Sequence, residues 1–269
     1  MSAPNSGSRQ FTRLRPRLAL AGLTASPTSQ ISTFYHSSSG MYFAARPEFL
    51  PKIQNLIKQV RDKIQSARAV GRFVCYLSVP ISPLGGGNFD VNNEIARRTA
   101  RRLAIRFGNK LMVIDSAAYN LKDDANVGRA SGGEYMAVWS DVLAGTNGMG
   151  TDIDMVYFAG PLDLAHFFRI KGRDNIGKLE NWMANREKKN ADFRLWVNKD
   201  TNRSGFIRYY ALRGSAAYSK GAHDEWNIVA SINAKRGIGE EIAVYFNGEP
   251  IEPGDYEDHT AIGNQVLGT

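Results

Sequence analysis

The sequence predicts an α/β fold: a mostly parallel sheet with helices on both faces and an inserted helix-plus-hairpin lid. Three observations predict it. Apolar runs bounded by glycine, proline or charged residues, at 72–81, 110–116, 154–160 and 242–246, read as buried strands. Between them lie stretches with apolar residues at helical spacing, the alternation that a parallel sheet requires. Residues 171–219 interrupt that alternation, which marks an insertion rather than another repeat of the unit.

Each element follows from local sequence. Residues 47–69 carry Leu50, Ile53, Ile57, Val60 and Ile64 at near-helical spacing with Lys and Arg between them, so they form an amphipathic helix. The first strand, Arg72 to Ile81, leads through Ser82 and the glycines at 85–87 into a helix from Val91 to Phe107, which stops at Gly108. A strand at 110–116, a helix at 133–144 and a strand at 154–160 follow. The insertion holds a charged helix, 178–189, and two runs, 193–197 and 206–212, around the turn-rich 198–202, which read as a hairpin. A helix opening near Asp224 and the strand 242–246 return to the core. The expected organisation is a disordered basic tail (1–45), an α/β domain of Rossmann-like, flavodoxin-like type (46–170 and 220–247), the inserted lid (171–219) and an irregular C-terminal tail (248–269).

Composition narrows the function. With 269 residues, 43% hydrophobic and 22% charged, the chain can bury one large core or two small ones, and one main domain with appendages is the simplest reading. One cysteine, Cys75, set in an apolar run, leaves neither a disulfide framework nor a cysteine-ligated zinc site, and fits a cytoplasmic protein. No apolar run approaches the ~20 residues that cross a bilayer. The histidines at 36, 166, 223 and 259 lack metal-ligand spacing and no serine sits in a Gly-x-Ser-x-Gly elbow, so no metal or cofactor is expected. His166, beside Phe167 and Phe168, reads as a core histidine.

Charge is uneven. Residues 1–110 carry 17 Lys and Arg against 4 acids, the remainder 17 against 22. A basic front suits nucleic acid, an anionic membrane or a phosphorylated small molecule, but seven of those charges fall between Arg72 and Lys110, where a solvated helix face accounts for them. A nucleic-acid partner is therefore not favoured. Residues 1–40 contain no acid and are rich in Ser and Thr, which describes a transit peptide, a disordered tail or an extension ahead of Met41; the tail is preferred.

The chemistry concentrates at strand ends. The segment from Gly221 to Ala230 places Asp224 and Glu225 in what reads as the first turn of a helix, at the rim where ligands of α/β sheets bind. There the helix end favours an ionised carboxylate, suited to a nucleophile; the competing reading makes His223 or Asp224 a cap and Glu225 an ordinary first-turn acid. Ser82, Gly85, Gly86 and Gly87 form either a phosphate cradle or a plain connector, with neither Walker nor dinucleotide spacing. Asp163, Asp115 and Asp90 each sit at a strand end or helix start and admit a site role or a capping role. Trp139, Trp182, Trp196 and Trp226 read as packing residues, of which Trp226, next to Glu225, is the best placed to stack a flat ring such as a nucleobase at the crevice.

The run from Val74 to Ser82, its glycine loop and the helix from Asn93 to Gly108 resemble the opening of the nucleoside 2-deoxyribosyltransferases and, more closely, the 2'-deoxynucleoside 5'-phosphate N-hydrolases. The segment from Asp224 to Arg236 resembles their catalytic glutamate helix. Together the blocks cover about a quarter of the chain. They depart from the family in the loop Ser219 to Asp224 and in the insertion of about fifty residues before it. The resemblance implies Glu225 as nucleophile and Tyr76 as the residue that positions it or the sugar; it leaves the second acid unassigned, for which Asp163, at a strand end, or Asp224 is chosen, with Ser78 among the substrate-binding residues. It implies a nucleotide or nucleoside substrate and a homo-oligomer. An enzyme of related chemistry on a larger substrate, such as an NAD glycohydrolase, and a non-catalytic nucleotide- or nucleic-acid-binding module are the competing expectations.

Overall fold

The computed structural model describes residues 33–82, 86–199, 201–214, 216–251 and 263–266. Its first elements are strands β1 (Thr33–His36) and β2 (Tyr42–Ala45), paired antiparallel with Phe34 opposite Ala44. This corrects the expectation of a disordered tail reaching residue 45. Phe43 and Ala45 are buried and Tyr42 stacks on His36, so the aromatic residues of this stretch pair and pack. Residues 1–32 of that tail lie outside the described residues.

After a short 3-10 turn at Pro47–Phe49 comes α1 (Leu50–Ala69), which buries Ile53, Ile57, Val60 and Ile64 along one side. Then β3 (Phe73–Ser78), α2 (Phe89–Phe107), β4 (Leu111–Asp115), α3 (Gly132–Ala144), β5 (Met155–Phe158) and α4 (Pro161–Phe168) alternate. α2 starts where the Asn88 side chain accepts from the Val91 amide, and α3 starts on a capping box between Ser131 and Glu134.

The insertion is helical throughout: α5 (Asn175–Lys189), α6 (Ala191–Val197) and α7 (Asn202–Arg208), the last continuing into a π-helical turn at Tyr209–Arg213. The expected hairpin is thus corrected. Phe193 and Val197 lie one helical turn apart, as do Phe206 and Tyr210, and Asn190 caps α6 by accepting from the Phe193 amide. Short aromatic runs fit either element, and here the ring cluster of Phe168, Trp182, Phe206 and Tyr210 decides for helix.

α8 (Lys220–Asn233) and β6 (Ala243–Phe246) follow, then β7 (Glu249–Ile251), which folds back on β6, and β8 (Gln265–Val266), which pairs with β2. The tail expected to be irregular from 248 onward is ordered at both places. Residues 252–262 and 267–269 lie outside the described residues.

The main sheet runs β4-β3-β5-β6-β7, parallel except for β7 at the edge. The parallel strands stand in the order 2-1-3-4, the doubly wound, flavodoxin-like arrangement, whose crevice opens beyond the carboxyl ends of the strands. Alternation across β3 sends Val74 and Tyr76 into a core shared with α1, α3 and α8, and Cys75 and Leu77 into a second core under α2, α4 and the insertion. The insertion therefore builds out the far core, and Tyr209 of its π-helical turn also reaches the crevice.

Candidate active site

Tyr76 and Ser78, two residues apart on β3, share the face that meets α8. Ser219 caps α8 by accepting from the Ala222 amide, so the helix starts at Lys220, and neither His223 nor Asp224 is its cap. Glu225 thus stands in the second turn, beyond the stretch where a helix end favours negative charge. The expectation that the terminus keeps it ionised is corrected. Glu225 is 6% exposed, and burial lifts its carboxyl from 4.5 to about 7, aided by the neighbouring Asp224 charge and opposed by the hydroxyls of Ser78 and Tyr76.

The Tyr76 hydroxyl donates to Glu225 Oε1 at 2.5 Å. Burial, and then the Glu225 charge, raise the pKa of this hydroxyl well above its ordinary range, so it remains a donor. The Ser78 hydroxyl, also buried, leans toward the same carboxylate without completing a hydrogen bond.

Glu225 lines a cavity of about 500 Å³ that opens beyond β3 and β4. Aromatic side chains form much of its wall: Phe89, Tyr119, Tyr135 and Trp139. Trp139 packs on Tyr76 at 5.5 Å and on Tyr119 at 5.8 Å, so the wall and the tyrosine behind Glu225 support each other. Asn93, Ser219, Lys220 and Asn264 supply polar groups.

The other expected residues divide. Ser82 lines the cavity. Asp224 does not: fully buried, it accepts from the Asn264 amide at 2.7 Å, the Asn264 carboxamide at 2.9 Å and the Gln265 amide at 3.0 Å. Its pKa is raised by burial against these donors, and its work is to anchor the segment that brings Asn264 to the wall. Asp163 belongs to the far core, where it accepts from Tyr157 and from the Gly160 amide, each at 2.9 Å, and pairs with Arg102. Asp115 accepts from the Ala117 amide and caps the turn Ser116–Ala118, whose first two residues line the cavity. Asp90 is exposed in the first turn of α2. Trp226 packs on Phe158 at 5.3 Å, away from the cavity wall.

Gly86 has φ of 109°, and a Cβ there would stand 2.5 Å from the Gly205 carbonyl of α7. A Cβ on Gly87 would press on Tyr209 and the Asn92 carboxamide. These glycines admit the close approach of the insertion, which accounts for them without a phosphate. Gly85 lies outside the described residues. His166, read as a core residue, is exposed because it lies on the outer side of α4, with Phe167 and Phe168 turned inward.

Sequence reasoning missed Asn93, Tyr119, Asn120, Tyr135 and Asn264 as parts of the cavity. Asn93 had a readable signal, a polar pair with Asn92 among the inward residues of an amphipathic helix. Asn264 had none, since long-range anchoring on Asp224 places it.

No family model matches this chain, and no curated protein or solved structure matches it either. Among the described residues no cluster of three metal-ligating side chains occurs, and no helix is long and apolar enough to cross a membrane.

Proposed function

We propose that the chain cleaves or transfers the N-glycosidic bond of nucleotides or nucleosides, with Glu225 as nucleophile. The observation that carries this reading is the Tyr76–Glu225 hydrogen bond at the wall of an aromatic-lined cavity. A carboxylate that is half ionised near neutrality, with Oε1 held by Tyr76, keeps its second oxygen for attack on the anomeric carbon. As the bond to the base breaks, positive charge grows on the sugar ring and the new ester traps it. Water or a second base then takes the sugar and returns the carboxylate. The bound oxygens of Asp224 and Asp163 leave protonation of the departing base to solvent or to hydroxyl groups of the wall.

Size and charge support a mononucleotide. A cavity of about 500 Å³ suits one ligand of that class. Ser219, Lys220 and Gly221 line it where α8 begins, so free helix amides and an ammonium stand ready for a phosphate, in place of the glycine turn at 85–87.

The test is release of free base, followed by chromatography, from a panel of nucleosides, 5'-monophosphates and NAD. Mononucleotides should be cleaved and Glu225→Gln should abolish the reaction while still binding them. Cleavage by Glu225→Gln at the parent rate would remove the nucleophile assignment. Activity on NAD alone would favour the larger-substrate chemistry.

A further inference from the structure

We propose that Asn93 is the specificity-determining residue of this cavity, reading the hydrogen-bonding edge of a neutral, planar base. The inference rests on the reading of the cavity as a nucleotide site. Asn93 is 8% exposed, lines the cavity, and its carboxamide makes no hydrogen bond with any described residue. Its neighbour Asn92 shows what a structural asparagine does in the same helix. Asn92 donates to the carbonyls of Ile81 and Ser82 at 3.2 and 3.3 Å and accepts from the Tyr210 hydroxyl at 2.6 Å. Buried polar side chains are nearly always satisfied, so a carboxamide left open toward a cavity marks a place where a ligand completes the bonding.

The chemistry of that ligand follows from the neighbours. Phe89 lies one turn before Asn93 on the same side of α2, lines the same cavity and is 48% exposed. A flat ring resting on Phe89 turns its edge toward Asn93. A carboxamide offers one acceptor and a pair of donor hydrogens side by side, which matches an edge carrying an adjacent donor and acceptor, as nucleobases do. Asn120 already accepts from the Tyr135 hydroxyl at 2.8 Å, and Asn264 already donates to Asp224, so Asn93 is the carboxamide with both halves open.

The experiment is isothermal titration of the whole chain with the four common deoxynucleoside 5'-monophosphates and with 2-deoxyribose 5-phosphate, which lacks a base. The parent should separate the four bases by about tenfold or more, the scale of one hydrogen bond made or missed. Asn93→Leu should collapse that spread to about threefold and leave 2-deoxyribose 5-phosphate unchanged. If Asn93→Leu does not fold, Asn93→Asp keeps the shape, loses the donor hydrogens and should reorder the preference. A spread that survives substitution, a parent that binds all four equally, or an equal loss for the baseless sugar phosphate overturns the assignment. Cleavage by a parent whose base preference ignores Asn93 sinks this inference alone. Base preference that depends on Asn93 without cleavage sinks the glycosidic reading alone, and a parent that binds no nucleotide sinks both.

Discussion

Tyr76 and Glu225, 149 positions apart in the chain, meet in a buried hydrogen bond of 2.5 Å between the first strand of the main sheet and the helix that packs across it. Strand alternation delivers the hydroxyl and helix periodicity delivers the carboxylate. The bond opposes the rise in the Glu225 pKa that burial imposes.

Removing that donor should therefore weaken the ionised form. Tyr76→Phe loses a hydrogen bond to a charged group, worth about 1.5 to 3 kcal/mol, or roughly one to two pH units. The acid limb of kcat/KM, expected near pH 7 in the parent because the nucleophile must be ionised, should move to about pH 8 or above. A pH–rate profile reads this directly, and an unmoved limb would mean that Tyr76 does not tune the carboxylate.

Stability should carry the same signature with its own sign. The Glu225 pKa rises from 4.5 to about 7 on folding, so between those values the unfolded chain ionises first and the folded state loses stability as pH rises. The full penalty, on the order of 3 kcal/mol, is present above pH 7 and absent below 4.5. Glu225→Gln should therefore be more stable than the parent at pH 8, with the gap closing toward pH 4.5. Denaturant titrations at the two pH values measure it, and a gap that widens at low pH would refute the buried-carboxylate account.

A buried ion pair braces the start of α3, whose Tyr135, Met136 and Trp139 line the cavity. Arg46 grips Glu134 in two bonds of 2.7 Å and donates to the carbonyls of Val127 and Arg129. The Glu134 side chain is fully buried, so Arg46→Met leaves a charge without its partner, a loss of about 3 kcal/mol. Thermal melts should show a fall of roughly 10 °C, and a shift under about 2 °C would show that the pair contributes little.

The glycine turn can be tested apart from phosphate binding. Gly86→Ala meets the Gly205 carbonyl and demands a backbone conformation that alanine avoids, so it should cost about 1 to 3 kcal/mol in stability. Nucleotide affinity of the folded fraction should stay within about threefold. A large loss of affinity with unchanged stability would return the phosphate to this turn.

The parts that were legible in the sequence are those where one period dominates. The runs at 72–81, 110–116, 154–160 and 242–246 became β3, β4, β5 and β6, because burial on both faces leaves unbroken apolar stretches. The runs at 193–197 and 206–212 carried no such arbitration: an aromatic pentapeptide fits strand or helix, and the partner rings lie elsewhere in the chain. Strands β1, β2 and β8 escaped for a related reason. Each is short, and the pairing of Phe43 with Gln265 joins segments that nothing local connects. At the site, Glu225 and Ser82 both line the cavity, the first legible from strand-end and helix-start logic and the second from the glycine turn. The same logic offered Asp163, Asp115 and Asp90 as well, since a capping acid and a site acid look alike until the direction of the side chain is known.

The central claim is that Glu225 bonds covalently to a sugar. A 2-deoxy-2-fluoro nucleoside 5'-monophosphate, whose fluorine disfavours positive charge at the anomeric carbon, should slow release of the sugar enough for the ester to accumulate. Peptide mass mapping of the incubated protein should then find one fluorosugar phosphate on the peptide that contains Glu225. An unmodified Glu225 peptide alongside release of free base, or an adduct on another residue, would contradict it.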